Sequence, residues 1–176
     1  MGRIGRFLIV CGLAGLVLPV PAPSVAADGA EGAEEGAAKP AQVRVQNVEV
    51  RVSELGPVVL LKVHNRAIPI FVDSVVARSI HGALSGQKPA RPLSHDLMHN
   101  ILEAFDGKVS QVVVTLKDRI FYGALTVVLQ KTTKVFDSRS SDAIALAIHF
   151  KAPILVSQEL LDSSGLKLEE PDGTAL

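Results

Sequence analysis

Alternating apolar and polar residues predict strands in the first half of the chain. Valines at every second position predict a strand over residues 43–52, with one slip at Gln46-Asn47 that a β-bulge would accommodate. A turn at Gly56-Pro57 and two apolar runs, over 58–63 and 68–72, then predict a hairpin. A sheet is therefore expected before the first helix.

The second half repeats this order of strands before helix. Runs over 109–116, 120–129 and 133–136 are joined by short polar turns, which predicts an antiparallel meander. A short buried strand is expected over 153–156. Strand runs followed by helices, twice over, indicate an α+β fold with a mixed, mainly antiparallel sheet.

Two to three packed helices are expected, with a further short one over residues 158–162. Asp73 or Ser74 would cap the first helix, which ends at Ser85-Gly86, and Ser94 would cap the second. The third is predicted over residues 142–150. Its opening echoes residues 76–80, which favours an internal duplication.

The helix that follows Ser94 is amphipathic. One face should pack against the core and the other should face water. The apolar face carries Leu97, Met98, Ile101, Leu102 and Phe105, and the polar face carries His95, Asp96, His99, Asn100 and Glu103. Lys88 and Arg91 precede this helix, where cations beside the positive end of a helix dipole favour a phosphate.

Residues 1–27 have the pattern of a signal peptide. Arg3 and Arg6 precede an apolar run over 7–20, and small residues offer a cleavage point before Asp28. The run is too short for a comfortable membrane span, so no stable span is expected after cleavage. Cys11 would leave with the peptide, which excludes a thiolate nucleophile. The protein is therefore expected to be exported, either periplasmic or secreted.

The rest of the chain divides by composition and charge. An Ala, Gly and Glu-rich flexible linker is predicted over 28–42, a domain over 43–166 and a disordered tail over 167–176. Removal of the first 27 residues leaves 18 − 2 = 16 basic against 18 acidic residues. A net charge near zero argues against binding to many phosphates at once, so any phosphate site must be local.

Two motifs carry a resemblance to a known family. Residues 91–97, RPLSHDL, and residues 139–147, RSSDAIALA, occur in order with suitable strands between them. In these motifs, and in IPIFVDS before them, the chain resembles the bifunctional nucleases, small α+β domains that act on DNA and RNA. The resemblance covers roughly residues 43–166 and implies phosphodiester hydrolysis of nucleic acid with modest sequence preference.

The chain departs from the family pattern at one place. The family typically has a Gly after the first hairpin and a Glu that opens the next helix, where this chain has Asp73 and Val76. The carboxylate expected at residue 76 is therefore missing. Asp73 lies one turn away and could replace it.

The resemblance and the residue types together give a set of candidate site residues. Asp96, Asp142 and His95 would organise a metal, water or proton transfer, with Mg or Mn held by the two aspartates. Arg91, Arg139, Ser141 and Lys88 would bind the phosphate of the substrate. The two arginine-aspartate helix openings are expected to converge on one phosphate-sized hollow.

Each of these residues also has a purely structural interpretation. The aspartates could complement a helix dipole, the arginines could form ion pairs with them, and Ser94 and Ser141 are most simply caps. Neighbouring residues on a helix point about 100° apart, which excludes a Ser94-His95-Asp96 triad. The stripe His95, His99, Glu103 could hold a metal but is more simply a hydrated face.

Two other classes of protein remain open. One is a non-catalytic envelope binding module that kept the fold but lost the carboxylate. The other is a homo-oligomeric structural module, because the apolar strands over 58–63 and 112–116 offer more hydrophobic face than one helix layer covers.

Overall fold

The structure, a computed structural model, describes residues 41–168 as two β-sheets and four helices. The strands are β1 (Gln42–Arg44), β2 (Asn47–Ser53), β3 (Gly56–Val63), β4 (Arg66–Phe71), β5 (Gly107–Lys117), β6 (Ile120–Leu129), β7 (Thr132–Arg139), β8 (Ile154–Ser157) and β9 (Leu166–Lys167). The helices are α1 (Ser74–Ser85), α2 (Ser94–Ala104), α3 (Ser140–His149) and α4 (Gln158–Ser164). The predicted signal peptide lies outside the described residues.

The two sheets confirm the α+β prediction. One sheet has the order β1-β8-β5-β6-β7 and the other the order β2-β3-β4-β9. Every pairing is antiparallel except that of β5 with β8. No helix within residues 41–168 is both long and apolar enough to cross a membrane.

Each sheet contains the same sequence of elements. A three-stranded antiparallel meander runs directly into a helix, as β2-β3-β4-α1 in one sheet and as β5-β6-β7-α3 in the other. The two helices pack against each other, and α3 also packs against α2, β5 and β6. Residues 143–147 of α3 are all buried, because the helix is enclosed by its neighbours.

The predicted strand over residues 43–52 proved to be two strands, so the expectation of a bulge was wrong. The backbone N–H of Val45 donates to the carbonyl of Ile154 in one sheet, and that of Gln46 donates to Lys62 in the other, at 2.9 and 2.8 Å. A slip in a two-residue period reverses the faces of a strand. Here the slip marks the point where the chain crosses from one sheet to the other.

The predicted linker and the predicted tail each contribute residues to a sheet. Gln42, the last residue of the predicted linker, pairs with Ser157 in β1, and Lys167, the first of the predicted tail, pairs with Arg66 in β9. Residues 28–40 and 169–176 of these two segments lie outside the described residues.

The predicted caps were right for α1 and wrong for α2 and α3. The Asp73 carboxylate accepts from the backbone N–H groups of Val75 and Val76, both at 2.9 Å, and Gly86 ends the helix with φ of 72°. In α2 and α3 the helix begins at Ser94 and Ser140, after the N-cap residues Leu93 and Arg139. Neither N-cap residue accepts a side-chain hydrogen bond.

The prediction of which face of α2 is buried was wrong for most of the helix, although Leu102 packs against the core and Asn100 and Glu103 are exposed as expected. Leu97, Met98, Ile101 and Phe105 are 40% to 67% exposed, whereas His95 is 4% exposed. Polar side chains at the start of α2 find partners on α3, so this polar face can be buried at low cost. The apolar face looks outwards over β6 and β7.

We predict that Gly123→Ala destabilises the fold by about 1–3 kcal/mol, because the added methyl overpacks the contact between β6 and α3. A Cβ at Gly123 would lie 2.6 Å from the Cβ of Ala143 in α3. Urea unfolding gives the free energy of unfolding. In the double variant Gly123→Ala, Ala143→Gly, the methyl group at position 143 is absent. Part of the lost free energy of unfolding should therefore be recovered. Equal stability of Gly123→Ala and the unchanged chain would contradict this.

Candidate active site

Arg139 and Asp142 form a bidentate ion pair where β7 runs into α3. The Nε of Arg139 donates to Oδ2 of Asp142 at 2.7 Å, and its Nη2 donates to Oδ1 at 2.9 Å. The strand ends at Arg139 and the helix begins at the next residue, so the two side chains are three positions apart at the junction. Bidentate pairing fixes the plane of the guanidinium.

His95 completes the cluster from α2. Its Nε2 lies 3.2 Å from Oδ1 of Asp142, and its side chain is 5% exposed. Its Nδ1 is buried and has no hydrogen-bond partner among residues 41–168. The three side chains therefore form a line from solvent, where Arg139 is 69% exposed, through Asp142 to a buried imidazole.

Asp142 is ionised at neutral pH. Burial raises the pKa of its carboxyl, but the hydrogen bonds and charge of Arg139, together with the contact to His95, bring it below the ordinary 3.8. In turn Asp142 raises the pKa of the Arg139 guanidinium, and Asp73 adds to that effect. A second carboxylate is thus close enough to Arg139 to act on it electrostatically.

The outer side of this cluster opens into a cleft of about 450 Å³. Arg139, Ser141, Asp73 and Phe71 are among the residues that line it. Two N–H groups of Arg139 are used by Asp142, and the others make no hydrogen bond within residues 41–168. The first turn of α3 also lacks a side-chain cap. Free guanidinium N–H groups beside an uncapped helix start are suited to a phosphate.

The second predicted pair, Arg91 and Asp96, does not join the cluster of Arg139, Asp142 and His95. Oδ2 of Asp96 accepts from the backbone N–H of Leu93 at 2.8 Å, and its Oδ1 lies 3.9 Å from Nδ1 of His149. His149 Nε2 is in turn 2.9 Å from the buried Ser79 hydroxyl. Asp96 faces the C-terminal end of α3, whereas Asp142 lies at its start.

The two remaining predicted residues lie in the loop between α1 and α2. Lys88 lines a cavity of about 370 Å³ together with Asp96. Arg91 is exposed and forms no ion pair in the described part of the chain. Of the seven predicted residues, the structure therefore brings together Arg139, Asp142 and His95, with Ser141 on the cleft wall.

Comparison with known proteins identifies the family. The Bifunctional nuclease domain matches residues 58–169, which is more than half of the chain and includes both helix openings. The chain belongs to the bifunctional nuclease domain family.

Individual proteins are similar to this chain at 28% to 32% identity. Uncharacterized protein Rv1829 of Mycobacterium tuberculosis (strain ATCC 25618 / H37Rv) is 32% identical over 132 residues, 73% of this chain and 79% of that protein. Protein MT1877 of strain CDC 1551 / Oshkosh matches to the same extent. Bifunctional nuclease 2 of Oryza sativa subsp. japonica is 28% identical over 127 residues, 68% of this chain but 39% of that protein.

The position at which the resemblance led us to expect a carboxylate is buried in this domain. Val76 is 3% exposed and belongs to the core, so it does not face the cleft. Asp73 lines the cleft instead, at the N-cap of α1. Arg139 is the N-cap residue of α3, so the two charged residues occupy the same position in the two meander-helix units. That correspondence was visible in the sequence as two strand-to-helix junctions.

The side chains present do not form a ready-made metal cage. No group of three or more His, Cys, Asp or Glu suited to a metal occurs among residues 41–168. Both oxygens of Asp142 accept from Arg139, and one oxygen of Asp96 accepts from Leu93. His99 lies 3.4 Å from Glu103 rather than joining His95. Mg²⁺ or Mn²⁺ held jointly by Asp96 and Asp142 stays a prediction.

We predict that the stability of the domain falls as pH drops below about 6.5, in part through His149. Burial lowers the pKa of its imidazole below 6.5, Asp96 opposes that effect, and His99 and His95 add to it. The unfolded chain therefore takes up this proton at a higher pH than the folded chain, so protonation favours unfolding.

His149→Gln should reduce this dependence of the melting temperature on pH. The exposed residue His81 in α1 offers a matched control, and His81→Gln should leave the dependence unchanged. A His149→Gln variant whose melting temperature follows pH as the original does would contradict the assignment.

Proposed function

We propose that this protein hydrolyses phosphodiester bonds of DNA and RNA with low sequence specificity, at the cleft beside Arg139. The observation that carries the proposal is the arrangement of Arg139, whose guanidinium is fixed by Asp142 and keeps free N–H groups on the side of the cleft. Such a group binds phosphate bidentately and stabilises the charge that develops as the phosphorus is attacked.

The three clustered residues would have different roles. Arg139 would contact the phosphate, and Asp142 would hold Arg139 in place. His95 would act as a positioning residue, because its side chain is 5% exposed and reaches the cleft only through Asp142. The lowered pKa of Asp142 makes it a weak base. We therefore attribute most of the rate enhancement to Arg139, which would stabilise the charge that develops on the phosphate.

Low sequence specificity is expected from the groups that would contact the substrate. Guanidinium and backbone N–H groups contact phosphate, which carries no sequence information. The formal net charge of zero argues against general electrostatic binding of a duplex. Export to the periplasm or the medium is also part of the proposal and rests on the sequence of residues 1–27 alone.

We expect Arg139→Ala to lower kcat/KM for cleavage of DNA and RNA by about 100-fold, because it removes the group that stabilises charge on the phosphate. Asp142→Asn should also lower kcat/KM, since the neutral amide cannot hold the guanidinium as a carboxylate does. Arg51→Ala is a matched control, because Arg51 is also exposed and paired with a carboxylate, that of Glu49. Circular dichroism would verify that each variant is folded.

The assay should use single- and double-stranded DNA and RNA, with Mg²⁺, with Mn²⁺ and with a chelator, which also tests the metal prediction. Intact substrates under every condition would overturn the nuclease proposal. If no substrate were cleaved but Arg139→Ala bound nucleic acid less tightly than the unchanged chain, the result would favour the non-catalytic binding module.

A second proposal concerns self-association. The strand faces that suggested it, over 58–63 and 112–116, are covered: Val59, Leu61, Val63, Val112 and Val114 are all fully buried. A different apolar surface is open, on the outward face of α2 and the adjoining part of β6 and β7. We call it the α2–β7 surface, and it consists of Leu97, Met98, Ile101, Phe105, Leu129 and Phe136.

This surface has the size that a dimer interface needs. Its six side chains are 40% to 67% exposed. At about 150 Å² for a fully exposed side chain, the lower end of the range for aromatic residues, they offer roughly 450 Å². A standard interface buries about 800 Å² per partner, of which about 65% is apolar in homodimers. We therefore propose a second copy of this chain as the occupant.

The neighbouring sheet edge supports the same partner. β7 is the last strand of its sheet and is eight residues long, with no proline and with charged residues at Lys134, Asp137 and Arg139. A long exposed edge can pair with another chain. A groove of about 610 Å³ separates α2 from β7 and would be filled by the partner.

We predict that Phe136→Lys shifts the protein from dimer to monomer in sedimentation analysis, because a charge would be buried in the apolar interface. Leu55→Lys is the control, since Leu55 is 84% exposed in the turn between β2 and β3 and lies outside the α2–β7 surface. A monomeric unchanged chain at every concentration, or a dimer that survives Phe136→Lys, would contradict the proposal.

A further inference from the structure

The cleft beside Arg139 has walls from both sheets. Phe71 is the last residue of β4, in the four-stranded sheet, and Ile120 is the first residue of β6, in the five-stranded sheet. Both line the cleft, with Arg139 and Ser141 beside them. Its volume of about 450 Å³ lies within the range of about 300–1,000 Å³ typical of ligand pockets.

The two apolar walls of the cleft are open to solvent. Phe71 is 57% exposed and Ile120 is 56% exposed, whereas Ile70, next to Phe71 in β4, is 2% exposed. A single exposed apolar residue on a surface needs no explanation. Here an aromatic ring and an aliphatic side chain line an open cleft together with Arg139, which has free guanidinium N–H groups.

We propose that Phe71 is a stacking platform for a nucleobase, and that this cleft takes single-stranded nucleic acid. The proposal rests on the nucleic-acid substrate proposed above and specifies its form. Arg139 would bind the phosphate while the base beside it lies on the ring of Phe71, with Ile120 on the other side. Stacking on an aromatic face accepts any base, because every base has a π-face, so it agrees with low sequence specificity.

Duplexes should be excluded by the same geometry. In a duplex each base is already stacked on its neighbours, and it must be unstacked and unpaired before it can enter a side pocket. Unstacked bases of single strands can be splayed out and placed on aromatic side chains without that cost. The inference therefore predicts a preference for single strands of both DNA and RNA.

The test is a binding measurement with short phosphorothioate-linked oligonucleotides, which resist hydrolysis, single-stranded or annealed. Phe71→Ala should weaken binding of the single strand about 10-fold and leave binding of the duplex unchanged. Phe71→Tyr keeps the aromatic face and should retain binding. Phe71→Leu keeps an apolar side chain without the ring and should bind as weakly as Phe71→Ala.

A second measurement reports stacking directly. The chain contains no tryptophan, so Phe71→Trp introduces a single tryptophan whose emission can be followed selectively. Its emission should be quenched when the single strand binds. Leu84→Trp is the control, because Leu84 is 45% exposed near the opposite end of α1 from Asp73 and should show no quenching.

The outcomes separate this inference from the nuclease proposal. Unchanged binding by Phe71→Ala, or an unquenched Phe71→Trp at saturation, overturns the stacking platform even if the protein cleaves nucleic acid. Quenching at Phe71→Trp and weaker binding by Phe71→Ala support the platform even if no cleavage is found. Equal loss of duplex and single-strand binding in Phe71→Ala would also overturn it, because the preference would then not come from stacking.

Discussion

The ion pair between Arg139 and Asp142 is the interaction on which the candidate site depends. Asp142 is 25% exposed, so an unpaired charge there would be poorly hydrated. Breaking a fully buried pair costs roughly 3–5 kcal/mol, and the partial exposure of this one reduces that figure. The pair therefore does two things at once: it makes an ionised carboxylate tolerable next to the buried His95, and it orients a guanidinium towards the cleft.

The fold places this pair by repeating one arrangement. A meander followed at once by a helix occurs in both sheets, and α1 and α3 pack together. Packing of the two helices brings their N-caps, Asp73 and Arg139, to a common cleft whose walls come from different sheets. A carboxylate is thus present beside Arg139 although the family position at Val76 is part of the core.

In α2, contacts with α3 bury polar side chains, while most of the apolar side chains are exposed. Only the start of its polar face is turned inwards, where His95 and Asp96 meet Asp142 and His149 on α3, and Nδ1 of His95 has no hydrogen-bond partner among residues 41–168. Its apolar face is then left on the outside. An amphipathic helix normally buries its apolar face, and this inversion is the observation that motivates the proposed self-association.

The sequence by itself determined the α+β class, the antiparallel meanders, the cap and end of α1 and the resemblance to the family, because these follow from local periodicity, turn chemistry and short motifs. It also placed Arg139, Asp142 and His95 among the candidates. Only the tertiary structure decided which of the two arginine-aspartate openings forms a cluster, which face of α2 is buried and where residues 43–52 change sheet. Those outcomes depend on contacts between residues far apart in the chain, such as His95 with Asp142 and Val45 with Ile154, and periodicity within one segment carries no information about them.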